Sequence, residues 1–296
     1  MTNGKGIAKI SFDLNIDRET VIPPFSSKVS RSIVIKLLGG DNRIFTYSKY
    51  KPYICSPIFY NGRPLIRYYD GRFKPDNEQY DNILKLYPSK DYKFTLTTLD
   101  TNIISFLLAS EMNDIELFNS RLTITSMKFT ITTWSNLLFE ENEFIMRLVT
   151  PALLQLPKKW GNMKRDGNVL FPLPSLLLWS VIQHWNLYAP NDLKIDGCKR
   201  LAVYSNFSMV EMDYNLRPVT IVYNNLSRPK GIKGWIRWNI KSYDKTLDMQ
   251  LRRILAYAQY IGVGRSRSIG FGMIDIIKKS TDEYCSKDSN NNDNSC

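Results

Sequence analysis

The chain has 296 residues, room for one large domain or two modest ones. Its hydrophobic share of 43% and charged share of 23% support a packed core and exclude wholesale disorder. Forty Lys and Arg against 28 Asp and Glu leave a net charge of +12, which points to a polyanionic partner: RNA, DNA or an anionic membrane surface.

The opening residues MTNGKGIAKISFDLNI lack the apolar core of a signal peptide, and no stretch reaches the roughly 18 apolar residues of a membrane span. A cytoplasmic protein without a membrane partner is expected. Gly6 to Ile16 alternates apolar and polar residues, as a half-buried strand does. Ser26 or Ser27 is placed to cap a helix running to about Leu38, which Gly39-Gly40 ends. Lys51 to Phe59 reads as a strand, Arg67 to Pro88 as a Tyr-rich loop, and Tyr92 to Thr98 as a strand. Thr101 to Ser110 is a short helix with Asp100 or Thr101 as cap, and Arg121 to Thr133 alternates again.

The second half repeats the rhythm. Phe144 to Thr150 predicts a strand, Lys158 to Gly167 a basic loop, and Pro174 to Leu187 an apolar helix. Arg200 to Val210, Arg217 to Tyr223 and Gly231 to Ile240 predict strands. Thr246 to Tyr260 carries the helical period in Leu247, Leu251, Ile254, Leu255 and Ala258, and Ser268 to Ile277 closes as a strand. Two successive β-α-β-β-α-β units predict an α+β fold of two tandem ferredoxin-like domains. The domains would span residues 1–138 and 139–277, the second carrying a glycine-rich loop, with a disordered polar tail over 278–296.

His184 is the only histidine, so sites needing two are excluded, and it reads as a packed or surface residue. Cys55, Cys198, Cys285 and Cys296 show no C-x-x-C spacing, and no metal or cofactor is expected. The most specific stretch is Gly262-Val-Gly-Arg-Ser-Arg-Ser-Ile-Gly-Phe-Gly272. Gly262, Gly264, Gly270 and Gly272 would let backbone N–H groups approach a phosphate, with Arg265 and Arg267 adding charge. The stretch follows a helix and lacks G-K-[ST], which excludes both the dinucleotide fingerprint and the Walker A loop.

GIKGWIRWNI, the helix after it and YIGVGRSRSIGFGMIDI together resemble the C-terminal signature of the CRISPR repeat-RNA endoribonucleases of the repeat-associated mysterious protein superfamily. The likeness extends more thinly to SNFSMVEMDYNLRPVTIVY, RLVTPALL, PPFSSKVSRSIVIK and KYKPYI, and is strongest with the archaeal branch. It implies metal-independent cleavage of repeat precursor RNA by the ribose 2′-OH, leaving 2′,3′-cyclic phosphate and 5′-OH ends. It also implies handing the cut RNA to an interference complex. Such chemistry needs proton transfer at two oxygens and positive charge for the transition state.

Many members of that family use a histidine in the first helix; SSKVSRSIVIKLL has none. The alternative among archaeal relatives is a lysine and arginine cluster, and the matching positions here carry Lys28, Arg31 and Lys51, with Arg228 near another. Lys28 and Arg31, at i and i+3, share a helix face. The lysines are the expected proton-transfer groups and the arginines the electrostatic clamps. Lys158, Lys159, Lys233 and Arg237 are further candidate RNA contacts. Lys233 and Arg237 would stand beside Trp235 or Trp238, whichever side of the strand is open. Tyr47, Tyr50 and Tyr53, interleaved with Lys49 and Lys51, are candidates to stack bases. Repeat precursor RNA is the expected partner; interference-complex proteins and a second copy of the chain are further candidates. A non-catalytic RNA-binding subunit and a general single-strand binder are the alternatives.

Overall fold

The computed structural model describes residues 6–40, 50–69, 83–109, 114–156, 167–224 and 226–278. The first half runs β1 (Ile7–Ile16), β2 (Thr20–Ile22), α1 (Ser27–Leu37), β3 (Tyr53–Cys55), β4 (Phe59–Tyr60), β5 (Arg63–Pro64), β6 (Tyr68–Tyr69) and β7 (Leu84–Leu86). It continues through β8 (Tyr92–Thr98), α2 (Thr101–Ala109), β9 (Asp114–Leu117) and β10 (Ser120–Thr132). Alternation in β1 buries Ile10, Phe12 and Leu14 and leaves Lys9, Ser11 and Asp13 partly open. β1 pairs antiparallel with β8 on one side and β10 on the other. β4 and β3 follow β8, and β9 closes the far edge. Val29, Ile33 and Val34 of α1, with Ile103 and Leu107 of α2, pack on the apolar face of this sheet. Asp100 caps α2, accepting from the Asn102 N–H at 2.9 Å.

The second half runs β11 (Glu143–Ala152), α3 (Pro174–Tyr188), α4 (Cys198–Ser208), β12 (Met209–Ile221), β13 (Lys230–Ile240), α5 (Lys245–Ile261) and β14 (Ile274–Lys278). Its sheet has the order β14-β11-β13-β12, with β6 from the first half added beside β12. α3, α4 and α5 cover one face through residues such as Trp185, Leu201, Leu251 and Leu255. No helix of the described residues is long and apolar enough to cross a membrane.

Three expectations change. Arg200 to Val210 is not a strand: α4 occupies it to Ser208, and β12 starts at Met209. Buried Leu201, Ala202, Tyr204, Ser205 and Ser208 follow the helical period that the apparent alternation obscures. Lys51 to Phe59 becomes strand only after Pro52 and is broken into β3 and β4 around Pro57, which has no N–H for a ladder. Only Ile274–Lys278 of the closing segment is strand; Arg267–Ile269 forms a 3₁₀ turn. The disordered tail expected over 278–296 gives up Lys278, the last residue of β14, and the remainder lies outside the described residues.

The halves are joined through a small core of Phe25, Ile66, Leu153, Ile221 and Phe271. Phe25 stacks on Phe271 at 4.4 Å between ring centroids. Backbone bonds cross as well: Val222 N–H donates to the Arg67 carbonyl at 3.0 Å, and β6 pairs Tyr68 with Ile221. The serines expected to cap α1 bond elsewhere instead, Ser27 across the halves and Ser26 within the first half. Ser27 Oγ donates to the Ile269 carbonyl at 2.6 Å, and Ser26 Oγ accepts from the Ile58 N–H at 2.9 Å.

Candidate functional site

The first turns of α1 present Lys28 and Arg31 on the half-open side opposite the buried Val29, Ile33 and Val34. Lys28 Nζ donates to the Tyr223 carbonyl at 2.8 Å and sits 4.2 Å from the centre of the Tyr223 ring. Burial holds the Lys28 amine below the usual lysine range. Lys51, just before β3, is held low by burial and then by the Arg31 charge. The same Arg31 charge acts on Tyr53, Cys55 and Tyr223. Lys28, Arg31, Lys51 and Tyr223 thus converge at the junction of the halves. An uncharged amine is more accessible here than on an ordinary surface lysine, as proton transfer at a phosphate requires.

A second basic group lies along the open face of β13. Alternation buries Trp238 and turns Lys233, Trp235 and Arg237 outward. Lys233 Nζ donates to Tyr68 Oη at 3.2 Å, and its amine is lowered by burial, then by Arg217 and Arg63. Arg237 Nε donates to Glu143 at 2.6 Å, so its charge is shared with a carboxylate. Arg228 stands with its guanidinium 4.9 Å from the Tyr69 ring centre, beyond the turn that carries Tyr223. Arg265 is exposed. Lys158, Lys159, Tyr47 and Lys49 lie outside the described residues.

The glycine-rich stretch corrects the phosphate-cradle expectation. Gly262, Gly264, Gly270 and Gly272 are all buried, and their N–H groups already donate, to Ala258, Leu177, Arg267 and Pro151 carbonyls respectively. Glycine is needed for close approach within the protein: a Cβ on Gly270 would lie 2.9 Å from the Cys55 carbonyl and 2.8 Å from Pro57 Cδ. Arg267 is corrected too. It is 7% exposed, and its guanidinium donates to the Ser180 carbonyl at 3.0 Å and the Gly262 carbonyl at 3.5 Å. Gly270 therefore packs against the first half, the other three glycines and Arg267 tie the second half together, and of these residues and Arg265 only Arg265 is exposed. Tyr53 is buried, and the Tyr50 hydroxyl donates to Gln183 Oε1, so neither ring is an open stacking platform.

His184 is a packed residue, 3% exposed. Its Nε2 lies 2.9 Å from the Lys51 carbonyl, which can only accept, so Nε2 carries the proton; Nδ1 accepts from Tyr257 Oη at 2.7 Å. Burial, and then the Arg267 charge, push its pKa down to about 3. A histidine kept neutral in the fold but titrating at about 6.5 when unfolded contributes stability above pH 6.5 that is lost progressively as pH falls toward 3. Urea unfolding at pH 7 and pH 5 should therefore show up to about 2 kcal/mol more acid loss in the wild type than in His184→Gln. Equal losses would show that the imidazole does not titrate this way.

Tyr223, Tyr68, Arg217 and Arg63 were not singled out from the sequence. The signal for them was aromatic–basic interleaving in GRPLIRYY and in NLRPVTIVY. Among the described residues no group of three or more His, Cys, Asp or Glu side chains is placed to hold a metal ion.

Family models for the Cas6 N-terminal domain and for CRISPR-associated endoribonuclease Cas6 match residues 8–132 and 146–274. Two proteins of Saccharolobus solfataricus, CRISPR-associated endoribonuclease Cas6 1 and Cas6 2, are 27% and 23% identical. Those matches cover 91% and 94% of this chain, and 96% and 98% of the relatives. A Thermus thermophilus Cas6 solved as a product complex superposes with a TM-score of 0.68 at 17% identity, covering 92% of this chain and all of the other. A Cas6-related protein of Pyrococcus furiosus superposes with a TM-score of 0.57 at 13% identity, covering 93% of this chain and all of the other. The mixed α and β architecture is that of the RAMP fold. Within that class, the chain belongs to the CRISPR-associated endoribonuclease Cas6 family.

Proposed function

We propose that the protein is a metal-independent endoribonuclease that cuts CRISPR repeat precursor RNA into guide RNA. The observation that carries the reading is that Lys28 stands on Tyr223 at the junction while the Arg31 charge reaches both Tyr223 and Lys51, with both amines lowered. RNA supplies its own nucleophile: the 2′-oxygen bonds to phosphorus as the bond to the 5′-oxygen breaks, leaving a 2′,3′-cyclic phosphate and a 5′-OH. Lys28, whose burial favours the uncharged amine, is the candidate to take the 2′-OH proton. Lys51 is the candidate to protonate the departing 5′-oxygen. Arg31 and Arg228 stabilise the phosphorane-like charge. Lys233, Arg237 and Arg265 extend the basic surface that holds the RNA.

The strand orders support reading each half as a ferredoxin-like unit, over 1–138 and 139–277. β3 and β4, β8, β1 and β10 stand second-third-first-fourth, as do β12, β13, β11 and β14. The product RNA would pass to an interference complex.

A repeat RNA incubated in EDTA should be cut once per repeat, and one 2′-deoxy substitution at the cut site should abolish cleavage while leaving binding intact. Cleavage that requires added metal, or that survives the deoxy substitution, would overturn the mechanism. Tight binding with no cleavage would mark a non-catalytic RNA-binding subunit instead.

A further inference from the structure

α3 grips the main chain immediately around Lys51. His184 Nε2 donates to the Lys51 carbonyl at 2.9 Å, and the Tyr188 hydroxyl donates to the Tyr50 carbonyl. From the same helix Gln183 accepts from the Tyr50 hydroxyl. The clamp is itself held from behind. Tyr257 of α5 donates to His184 Nδ1 at 2.7 Å, and burial keeps the Tyr257 phenol protonated and so able to donate. Arg267 anchors the turn of α3 above by donating to the Ser180 carbonyl. His184 is buried between Tyr188, Tyr257 and Tyr50, shielded from solvent.

We propose that His184 is a positioning residue: it fixes the main chain from which Lys51 springs, so that the lysine amine stands beside Arg31 at the cleaved phosphate. The proposal rests on the reading of Lys51 as a catalytic group. A flexible four-carbon stem cannot be aimed more accurately than its root, and a misplacement of about 1 Å can cost about a hundredfold in rate. The second-half helix thereby sets the geometry of a first-half catalytic group.

The test is single-turnover cleavage and RNA affinity for the wild type, His184→Leu, His184→Gln, Lys51→Ala and the double variant His184→Leu/Lys51→Ala, each well below its melting temperature. His184→Leu should lower the rate about ten- to a hundredfold with the Kd changed less than about twofold. His184→Gln, which can still offer an N–H to the Lys51 carbonyl, should recover most of that loss. In the Lys51→Ala background His184→Leu should add no further loss, because both act through one group. If Lys51→Ala is severely impaired while His184→Leu cleaves normally, or if the two losses multiply, the positioning role is wrong and the Lys51 assignment stands. If Lys51→Ala itself cleaves normally, the underlying reading fails instead. Should His184→Leu not fold, Tyr188→Phe removes only the donation to the Tyr50 carbonyl. It should slow cleavage about three- to tenfold, again with no added loss in the Lys51→Ala background.

Discussion

Lys51→Ala is expected to slow single-turnover cleavage of repeat RNA by about 10²- to 10⁴-fold, with RNA affinity falling by no more than about tenfold. The asymmetry follows from the role. One half-buried cation among many contributes modestly to holding a polyanion, whereas a proton delivered to the leaving 5′-oxygen acts only in the transition state. Lys51→Arg separates charge from proton. It keeps the cation beside Arg31, but a guanidinium does not release its proton at working pH, so the rate should recover little. Recovery to near wild type would assign Lys51 to electrostatics alone. The pH profile carries the same information. Burial and Arg31 lower the Lys51 amine, so the protonated acid should be lost, and the rate should fall, at a pH below the 10.5 of a free lysine. Removing the neighbouring charge with Arg31→Gln should move that alkaline limb upward.

Gly272→Ala is expected to destabilise the protein by about 2–5 kcal/mol. Gly272 has φ +67°, where an L residue is strained, and its Cβ would overlap the Val263 carbonyl. The two residues are tied: Val263 N–H donates to the Gly272 carbonyl at 2.8 Å, and Gly272 N–H donates to the Pro151 carbonyl at 2.9 Å. Relaxing one therefore disturbs β11 and the end of α5 together. Phe271, next in the chain, stacks on Phe25 across the halves, so the damage reaches the first-half core. Thermal unfolding of the Gly272→Ala variant would check this; a melting temperature equal to wild type would show that the loop adapts. Because the glycine N–H groups are already spent inside the protein, the properly folded fraction of this variant should bind RNA as well as wild type.

Much of the scaffold was legible because two periodicities are written plainly. Alternation through Ile7 to Ile16 and Arg121 to Thr133, and the 3.6 period of Leu247, Leu251, Ile254 and Ala258, each put one apolar face against one core. The reading failed where short segments admit both periods, as in Arg200 to Val210, where tertiary burial decides for a helix. The basic residues Lys28, Arg31 and Lys51 are legible only as residue types at matching positions; that Lys28 stands on Tyr223 and that the Arg31 charge reaches both Tyr223 and Lys51 depends on a fold-back no local pattern encodes. The glycine-rich stretch misled for a physical reason. Glycine serves any close backbone approach, and sequence does not say whether the approaching atom is a phosphate oxygen or a carbonyl of the same chain. Arg267 carries the same ambiguity: a guanidinium satisfies buried carbonyls as readily as an anion.

The strand Tyr68–Tyr69 pairs with Thr220 and Ile221, far along the chain, rather than with a neighbour in its own half. During synthesis that ladder cannot close until the later strand has emerged from the ribosome. The early half must therefore wait with its seam uncovered, because Phe25 and Ile66 find Leu153, Ile221 and Phe271 only once the later half is made.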